Sequence, residues 1–510
     1  MKKFNKVLSA VLASAMVLSM AACGEKAPVA STEDKPVVST EDKKDDAVAP
    51  ATGDKVHINV YRALFNLASP DDATVKEVED AINAYIADKI NVEISLKEVG
   101  SGEYTEKANL ALQNKEINLL WTASWESVIG TNDLVPLNAV YDITDLLPGT
   151  DLYNSMDAGQ WEASKYNGKN YFIPVYKDNV EGYEFMFRKE VADAHGWDIS
   201  TVKSLADLEP MLADAKADGL KYPLLTQKTA MFYRWYIDSF DFFTGDVKGN
   251  FVAVDRSKNE VVDTILTPEY AEFCKLMAKY ADLGYVSEDE VNKLTTDTTT
   301  QTQDWAVSWW TDVPNNAEAN GRYGQDVIMT PATKRWAHST SNLGSCYCVT
   351  ANSTEAEAKA CIEFMGLLYT DSKLADLYTY GIEGKHFNYV DGLVSKVAEA
   401  PYNHSMWESA SATVVTAPDD SPYTSQMYLD FNGGADSSCA AGFRFDRGPV
   451  DASYTACQNV FDEFGFVLEN GGVPEDQVDA KIAEYQAALD AAGYQDVLAE
   501  FKAQYDAWKK

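Results

Sequence analysis

Two early segments of the chain alternate hydrophobic and polar residues, and a third segment is apolar except for Asn118. They comprise residues 56–61, 92–96 and 117–121. A period of two is typical of a strand with one buried face, whereas a short apolar run is typical of a strand buried on both faces. Residues 70–86 and 104–112, between these segments, repeat apolar side chains at helical spacing. The order of strand, helix, strand, helix and strand predicts an α/β sheet with helices on its faces.

Two tryptophans follow the third predicted strand directly, in the run Trp121-Thr-Ala-Ser124-Trp125. Ligands of open α/β sheets bind beyond the carboxyl ends of the strands. We therefore predict that Trp121, Ser124 and Trp125 contribute to a binding site. Packing in the core is an equally common use of a tryptophan, and this alternative stays open for each aromatic residue named below.

Residues 168–190 contain two apolar runs separated by a polar segment. Residues 171–175 and 183–187 have the composition of strands, although Pro174 argues against a long central strand in the first run. Residues 176–182 are too polar for a core. A polar segment between two buried strands is typical of a crossing between lobes, where ligands are often held.

The remainder of the chain repeats the same kinds of element. Apolar patterns predict strands over residues 222–225, 305–310 and 343–350, and helices over residues 205–217, 268–283, 355–369, 478–489 and 498–508. Trp309 and Trp310 end one of these strands, and Trp235 lies in an aromatic cluster. A chain of 510 residues exceeds one ordinary core, so two or more lobes are expected.

Charge and motifs exclude several classes of function. The chain carries 43 basic and 79 acidic side chains, a formal charge of −36, which repels phosphate backbones and excludes nucleic acid as a partner. The sequence has no His-Glu-x-x-His pair, Gly-x-Ser-x-Gly elbow, Walker loop or dinucleotide glycine fingerprint. We therefore expect no metal, no cofactor and no catalytic residues.

Six cysteines besides Cys23 could be paired in an exported protein or remain free thiols.

The amino terminus has the pattern of an export signal. Three lysines precede an apolar run over residues 7–22, which is shorter than a membrane span needs. Residues 1–22 are thus expected to be a signal peptide, and residues 23–55, which contain no aromatic residue, a flexible linker. Met20-Ala-Ala-Cys23-Gly24 resembles the lipobox of bacterial lipoproteins. That resemblance implies cleavage before Cys23, diacylglycerol on its sulfur, and an anchor at the extracytoplasmic face of a bacterial cell membrane.

Several motifs occur in a shared order along the mature chain. They are Gly168-Lys-Asn-Tyr-Phe-Ile-Pro174, Ala306-Val-Ser-Trp-Trp310, Asn352-Ser-Thr-Glu-Ala356, Tyr380-Gly-Ile-Glu-Gly-Lys-His386 and Gly442-Phe-Arg-Phe-Asp-Arg-Gly-Pro-Val450. In this order they resemble the family 1 extracellular solute-binding proteins, the lipoprotein receptors of ABC importers. The last two resemble a lipoprotein subgroup with its own C-terminal extension. The chain departs from the family pattern at Arg188, where asparagine is usual, and lacks a proline at the helix start after Asn352.

The resemblance implies an α/β, two-lobed periplasmic-binding-protein-like fold of type II, with the lobes joined by a multi-strand hinge. The first lobe would comprise residues 56–175 and about 338–400, and the second residues 176–337 and about 401–510 with its C-terminal helices. The ligand-binding positions implied in relatives correspond here to Arg62, Trp121, Trp125, Tyr176, Asp178, Glu181, Trp309 and Trp310. Ser124 is added from its place between the two tryptophans, and Asn179 as a polar side chain of the crossing. Trp235 is added from its aromatic cluster. For Trp235 and Arg62, a role in core packing is the favoured interpretation.

Together these features predict a lipid-anchored receptor that captures a carbohydrate, an oligosaccharide, and presents it to the permease subunits of an ABC importer. Aromatic planes suit the C–H faces of sugars, while carboxylates and amides suit their hydroxyl groups. We expect a monomer that is not an enzyme. Two alternatives stay open: an exported glycan-cleaving enzyme, because aromatic clefts with carboxylates serve both functions, and the same fold with a peptide ligand.

Overall fold

Two main β-sheets, one in each lobe, organise the part of the chain that the structure describes. The computed structural model describes residues 55–65, 70–166, 168–226, 231–242, 247–286, 304–337 and 341–509. Cys23, the expected lipid attachment site, lies outside these residues. No helix within the described ranges has the length and apolar character that a membrane crossing requires.

The described elements are given in chain order. The strands are β1 (Val56–Leu64), β2 (Val92–Gly100), β3 (Leu119–Thr122), β4 (Phe172–Pro174), β5 (Tyr183–Arg188), β6 (Tyr222–Leu224), β7 (Phe240–Asp241), β8 (Val252–Asp255), β9 (Glu260–Asp263), β10 (Trp305–Thr311), β11 (Val327–Pro331), β12 (Trp336–Ala337), β13 (Cys346–Val349), β14 (Phe387–Val390), β15 (Leu393–Lys396) and β16 (Asp436–Ser437). The α-helices are α1 (Asp72–Ile86), α2 (Ser101–Gln113), α3 (Thr131–Leu134), α4 (Asp151–Asn154), α5 (Ala158–Ala163), α6 (Lys189–His195), α7 (Glu209–Ala217), α8 (Met231–Trp235), α9 (Pro268–Asp282), α10 (Ala317–Tyr323), α11 (Glu355–Leu368), α12 (Ser372–Tyr380), α13 (Ser425–Gly433), α14 (Asp451–Glu469), α15 (Val478–Ala491) and α16 (Tyr494–Trp508).

The first lobe contains a five-stranded sheet in the order β2-β1-β3-β13-β4. β1 is parallel to β2 and β3, whereas β13 is antiparallel to β3 and β4. The predicted alternation of strands and helices is confirmed, and α1 begins at Asp72 because the Asp71 side chain accepts a hydrogen bond from Thr74 N at 2.7 Å. Since β1 and β3 run in parallel side by side, their carboxyl ends lie at the same edge of the sheet.

The second lobe contains a four-stranded sheet in the order β11-β5-β10-β6. β10 pairs antiparallel with β5 and parallel with β6. Apolar residues of α7, α9 and the C-terminal helices α14–α16 share one core with one face of this sheet. The predicted break between the last two helices is confirmed at Gly493, whose φ of 92° is a left-handed conformation that glycine adopts without strain.

Three chain segments pass between the lobes, and short backbone pairings join them. They are the segments between β4 and β5, between β11 and β13, and between α13 and Ala440. Glu181 of the first segment bridges Trp336 of the second, and β12 of the second pairs in parallel with β16 of the third. The expected two-lobed fold with a multi-strand hinge is therefore confirmed.

One predicted lobe boundary differs from the observed cores. Residues from about 401 onward were expected in the second lobe, yet Tyr402, Ala412 and Tyr423 belong to the core of the first lobe. The second core begins again only at Ala440. Residues 402–409 belong to the first lobe because they pack on buried polar groups of β1 and β2. A local apolar pattern in the sequence does not reveal such polar contacts.

The six described cysteines are all free thiols. Five of them are buried, and Cys439 is exposed. Burial raises the pKa of the Cys457 thiol to about 11, so this side chain behaves as a small apolar group rather than as a nucleophile. Of the two alternatives that the sequence left open, the structure has free thiols.

Candidate ligand-binding site

Four aromatic side chains meet beyond the carboxyl ends of β1 and β3. This first-lobe aromatic cluster comprises Phe65, Trp121, Trp125 and Trp407. The Phe65 ring lies 4.8 Å from that of Trp407 and 5.8 Å from that of Trp125, measured between centroids. Trp125 is 48% exposed, while Phe65 and Trp407 are half-buried. The cluster therefore offers an accessible aromatic surface at the sheet edge where ligands of such folds bind.

Trp121 and Trp125 hold different positions in this cluster. Trp121 is completely buried, and its indole N–H donates to Ser345 Oγ at 3.0 Å. Its ring lies 5.9 Å from the ring of Trp125, which it supports from beneath. The Trp125 indole N–H donates to Gly344 O at 2.7 Å, and Ser124 between them is half-buried. In this structure only Trp125 of the two tryptophans presents a face to a ligand.

Arg62 lies below the same cluster and does not reach its surface. The guanidinium is completely buried and donates to Tyr378 O at 2.7 Å and Ser409 Oγ at 2.9 Å. It also lies 3.8 Å from the centroid of the Tyr378 ring. A side chain held in this way organises the strand ends, and no atom of it is available to a ligand.

The second lobe has its own group of polar and aromatic side chains beside the hinge. This second-lobe polar-aromatic cluster comprises Glu181, Tyr183, Tyr233, Arg234 and Trp309. Glu181 Oε1 accepts hydrogen bonds from the hydroxyls of Tyr183 and Tyr233, and burial followed by the Glu181 charge raises the pKa of both phenols. The Arg234 guanidinium lies 3.9 Å above the Trp309 ring, whose N–H donates to Thr226 O at 3.2 Å. A carboxylate, a guanidinium and a half-buried indole thus occupy one surface.

Trp310 lies on the other face of the same sheet. It is 8% exposed, and its ring is 5.8 Å from that of Tyr323 on α10. Successive side chains of a strand point to opposite faces, so Trp309 and Trp310 cannot share one binding surface. Trp235 is half-buried and stacks on Phe185, with 4.7 Å between ring centroids.

The remaining hinge residues of the predicted site mainly connect parts of the chain. Asn179 is buried; its backbone N–H donates to Asn432 Oδ1 at 2.9 Å and its amide to Gln160 Oε1 at 2.8 Å. Asp178 is half-buried and pairs with Lys177 at 2.8 Å. Tyr176 is buried, and its carbonyl accepts from Ala412 N at 2.7 Å. A direct ligand contact by any of these three side chains stays a prediction.

A family model for the bacterial extracellular solute-binding proteins matches residues 80–383, more than half of the chain. The chain belongs to this family. A second model, for a domain of unknown function (DUF3502), matches residues 439–510.

Individual relatives of this solute-binding protein agree with that assignment. A carbohydrate ABC transporter substrate-binding protein of Streptococcus pneumoniae serotype 4 is 24% identical over 482 residues, which cover 91% of this chain and 93% of that protein. The crystal structure of the N-glycan transport solute-binding protein NgtS from S. pneumoniae superposes with a TM-score of 0.75 at 23% identity, over 89% of this chain and 99% of NgtS. Its complex with Man5GlcNAc superposes with a TM-score of 0.67 at 22% identity, over the same shares of the two chains. The last two likenesses show the same fold.

The C-terminal domain of the solute-binding protein is part of its second lobe. Phe445, Phe461 and Phe501 of this domain are core residues there, together with Tyr270 of α9. Arg447, just before α14, forms an ion pair with Asp133 of the first lobe at 3.0 Å. The domain therefore packs as an integral part of the binding protein and touches both lobes.

Sequence reasoning missed several residues of the two clusters. Phe65 could have been found, because it lies four positions after the first predicted strand, which in the structure continues to Leu64. Trp407 gives no local signal, since it lies in a single 3-10 turn, Met406–Glu408, far along the chain from Trp125. Tyr233 and Arg234 lie within the aromatic segment from which only Trp235 was selected.

A separate groove of about 510 Å³ lies between α2 and the strands β1 and β2. Tyr61, Lys97, Lys107 and Leu110 are among the residues that line it. It contains none of the predicted site residues, and its lysines already lie beside the carboxylates Asp72 and Glu103. We therefore place the candidate site at the two clusters. The described residues form no group of three or more side chains suited to hold a metal ion.

Proposed function

We propose that this solute-binding protein captures an oligosaccharide between its first-lobe aromatic cluster and its second-lobe polar-aromatic cluster, and delivers it to the permease of an ABC importer. The observation that carries the proposal is the exposed indole of Trp125, supported by Trp121 and flanked by Phe65 and Trp407. An exposed aromatic surface on a rigid base covers the C–H face of a sugar ring without the cost of ordering flexible chains.

The second-lobe cluster supplies the polar half of the recognition. Sugar hydroxyls both donate and accept, so a carboxylate such as Glu181 and a guanidinium such as Arg234 can each bond them. Binding to one lobe first and closure onto the other would shift an equilibrium between open and closed forms toward the closed form. The permease would then bind the two lobes only in their closed arrangement.

The relatives support a carbohydrate cargo over the alternatives. The pneumococcal protein is a carbohydrate ABC transporter substrate-binding protein, and the NgtS structure is a complex with Man5GlcNAc. Binding proteins of transporters return their cargo unchanged, which supports a receptor over a glycan-cleaving enzyme.

The lipobox-like run around Cys23 supports a lipid anchor at the outer face of the membrane. The intact mass of the mature chain, purified from its native host, tests whether Cys23 carries the lipid.

A thermal-shift screen with Man5GlcNAc, maltotriose and trialanine tests the cargo. We expect a saccharide to raise the melting temperature and to be recovered intact by mass spectrometry. A shift with trialanine alone would establish the peptide alternative, and shortened saccharide products would establish an enzyme.

Replacing Trp125 by alanine tests the site itself. Loss of one stacked aromatic face should weaken binding of the active saccharide by about 2 kcal/mol, roughly 30-fold in Kd, measured by isothermal titration calorimetry. Trp508→Ala is the matched control, because Trp508 is also exposed, at 42%, but lies at the end of α16. Equal affinities for the two variants would show that Trp125 is not part of the site.

A further inference from the structure

A strained turn lies in the loop that carries Trp125. This β3 loop comprises residues 123–130, between β3 and α3. At its tip, Ile129 N donates to Ser127 O at 2.7 Å, which closes a three-residue γ-turn around Val128. The φ of Val128 is 67°, so the turn is of the kind with a positive central φ, which is rare and strained.

The side chain at the centre of this turn increases the strain. Six residues other than glycine have a positive φ within the described ranges, and Val128 alone among them has a β-branched side chain. A positive φ is an outlier for such a side chain, because its two methyl groups crowd the backbone. Glycine would adopt the same conformation without strain. The valine therefore makes this turn less stable than glycine would.

Packing does not compensate for the strain. Val128 is 51% exposed, whereas the next residue, Ile129, is completely buried. A valine that keeps half of its surface in water gains only part of the stabilisation that full burial provides. Strained residues whose side chains the core does not need are typical of ligand sites. The turn is thus a candidate for a functional position.

The remainder of the β3 loop holds the turn in place. Thr122 Oγ1 donates to Ile129 O at 2.5 Å, and Thr105 Oγ1 donates to Glu126 Oε2 at 2.7 Å. Gly130 packs so closely that a Cβ atom there would lie 2.2 Å from Glu126 O. Because the loop is anchored on both sides of its tip, the residue between the anchors keeps its positive φ.

The tip of the β3 loop lies beside the aromatic surface assigned to the ligand. Val128 follows Trp125 by three residues, so their Cα atoms are at most about 11 Å apart. Both side chains are exposed, at 51% and 48%, in a loop at the carboxyl end of a strand, where ligands of such sheets bind. An oligosaccharide stacked on the Trp125 indole extends over more than one sugar ring and can therefore reach the tip.

An isopropyl side chain makes only one kind of favourable contact with a sugar. It has no hydrogen-bonding atom, so a hydroxyl group pressed against it would lose its hydration without gaining a partner. C–H groups of a sugar ring, or a methyl group attached to it, lose no hydrogen bond there and bury apolar area. A valine at this position therefore selects for a sugar unit that turns its C–H groups toward the loop.

We propose that Val128 is a ligand-contacting residue that selects the sugar unit next to the one stacked on Trp125. The strained γ-turn holds the two methyl groups out from the β3 loop, where they cover C–H groups of that unit. Glycine would relieve the strain but would remove the contact. This proposal rests on the proposed function and adds to it a second apolar contact made by the same loop.

Calorimetry with Man5GlcNAc tests the contact in two variants of the full mature chain. Val128→Gly keeps the turn and removes the side chain, so the Kd should rise about fivefold. The melting temperature should stay within about 2 °C of the wild type, because strain is relieved as the unfolded chain gains freedom. A large loss of melting temperature would instead identify a structural role for Val128 and overturn the proposal.

Val128→Thr separates the contact from the shape of the turn. Threonine is also β-branched and keeps the crowded backbone, but the ligand would bury its hydroxyl without a partner. The Kd should therefore rise about fivefold in this variant as well. An unchanged Kd in either variant would overturn the proposal.

Val390→Gly is the matched control. Val390 has 50% exposure in the same lobe, but it belongs to the hairpin of β14 and β15. Its replacement should leave the Kd for Man5GlcNAc unchanged. An equal rise of the Kd in Val390→Gly and Val128→Gly would contradict a specific contact by the β3 loop.

Methyl NMR of the valine-labelled wild type tests the contact without altering the residue. The Val128 resonances are assigned with Val128→Thr. We expect nuclear Overhauser effects between these methyl groups and C–H protons of bound Man5GlcNAc, and none from Val390. Binding without an effect from Val128 overturns the contact alone. If Man5GlcNAc does not bind the wild type at all, the proposed cargo fails, and the contact fails with it.

Discussion

Trp309 and Trp310 are neighbours in β10 that belong to different surfaces. Trp309 is half-buried beside Arg234 and Tyr183, with 3.9 Å between the guanidinium and its ring. Trp310 packs in a small core on the opposite face with Trp305 and Tyr323. Neighbouring side chains of a strand point to opposite faces, so the proposed ligand contact applies to Trp309, whereas Trp310 contributes to a packed core.

Alanine substitution should separate these two roles. Trp310→Ala leaves a cavity in a packed core and should lower the free energy of unfolding by about 3 kcal/mol, measured by urea denaturation. Trp309→Ala should weaken binding of the active saccharide about tenfold while the protein remains folded. Affinity that falls in Trp310→Ala but not in Trp309→Ala would show that the binding surface lies on the other face.

The sequence predicted which strand end carries aromatic residues, but it did not predict which of those residues are exposed. Trp125 was expected at the surface and is exposed, whereas Trp121, expected beside it as a second stacking residue, is completely buried. Trp121 lies in β3 and Trp125 just after it, and the two side chains have the same chemistry. Their difference arises because β13 and Ser345 cover one of them, and these come from more than two hundred positions later in the chain.

At the scale of elements, the end of α14 supports the helix that carries the second-lobe cluster. The Glu469 carboxylate accepts a hydrogen bond from Phe232 N at 3.1 Å, at the start of α8, which also contains Tyr233 and Arg234. Burial raises the pKa of Glu469 to about 7, although the backbone N–H groups of Phe232 and Met231 oppose this. Burial of this carboxyl group therefore lowers the free energy of unfolding by an amount that depends on pH.

Glu469→Gln should change the pH dependence of stability. Between about pH 4.5 and pH 7 the folded wild type holds a proton that the unfolded chain has lost, so its free energy of unfolding falls as the pH rises, by about 3 kcal/mol in all. Glutamine does not titrate, so the free energy of unfolding of the variant should not show this decrease as the pH rises. Urea denaturation at both ends of the range measures it.

Glu463→Gln is the matched control for that prediction. Glu463 is an exposed carboxylate on the same helix. Its replacement should leave the wild-type fall in stability intact. A fall of equal size in Glu469→Gln and wild type would show that Glu469 does not bind the proton.

At the scale of the whole molecule, the lobes are built from segments far apart in the sequence. The first lobe needs β13 and residues 402–423 in addition to its first strands, and the second needs the C-terminal domain. Fully buried side chains of that domain include Tyr485 and Phe501, which share a core with Tyr270. The domain of unknown function therefore completes a lobe of the receptor.

A chain that ends at Ser438 should not form a stable second lobe. Each large apolar side chain removed from the core contributes about 1.5 to 3 kcal/mol, and several together exceed the usual stability of about 5 to 15 kcal/mol. Limited proteolysis should degrade residues 183–331 in the truncated chain. A chain that begins at residue 55 and keeps its carboxyl terminus is the control, and equal protease resistance of the two would show that the domain is separable.

The sequence by itself determined the order of strands and helices, the crossing at residues 176–182 and the paired C-terminal helices, because periods of two and 3.6 report which side of each element is buried. It also identified the family through the order of its motifs. Only the tertiary structure decided which tryptophans face outward, that Phe65 and Trp407 complete the aromatic cluster, and that His404 lies between two carboxylates. Those facts depend on contacts between segments hundreds of residues apart, and a local pattern carries no information about which distant segment will cover a given side chain.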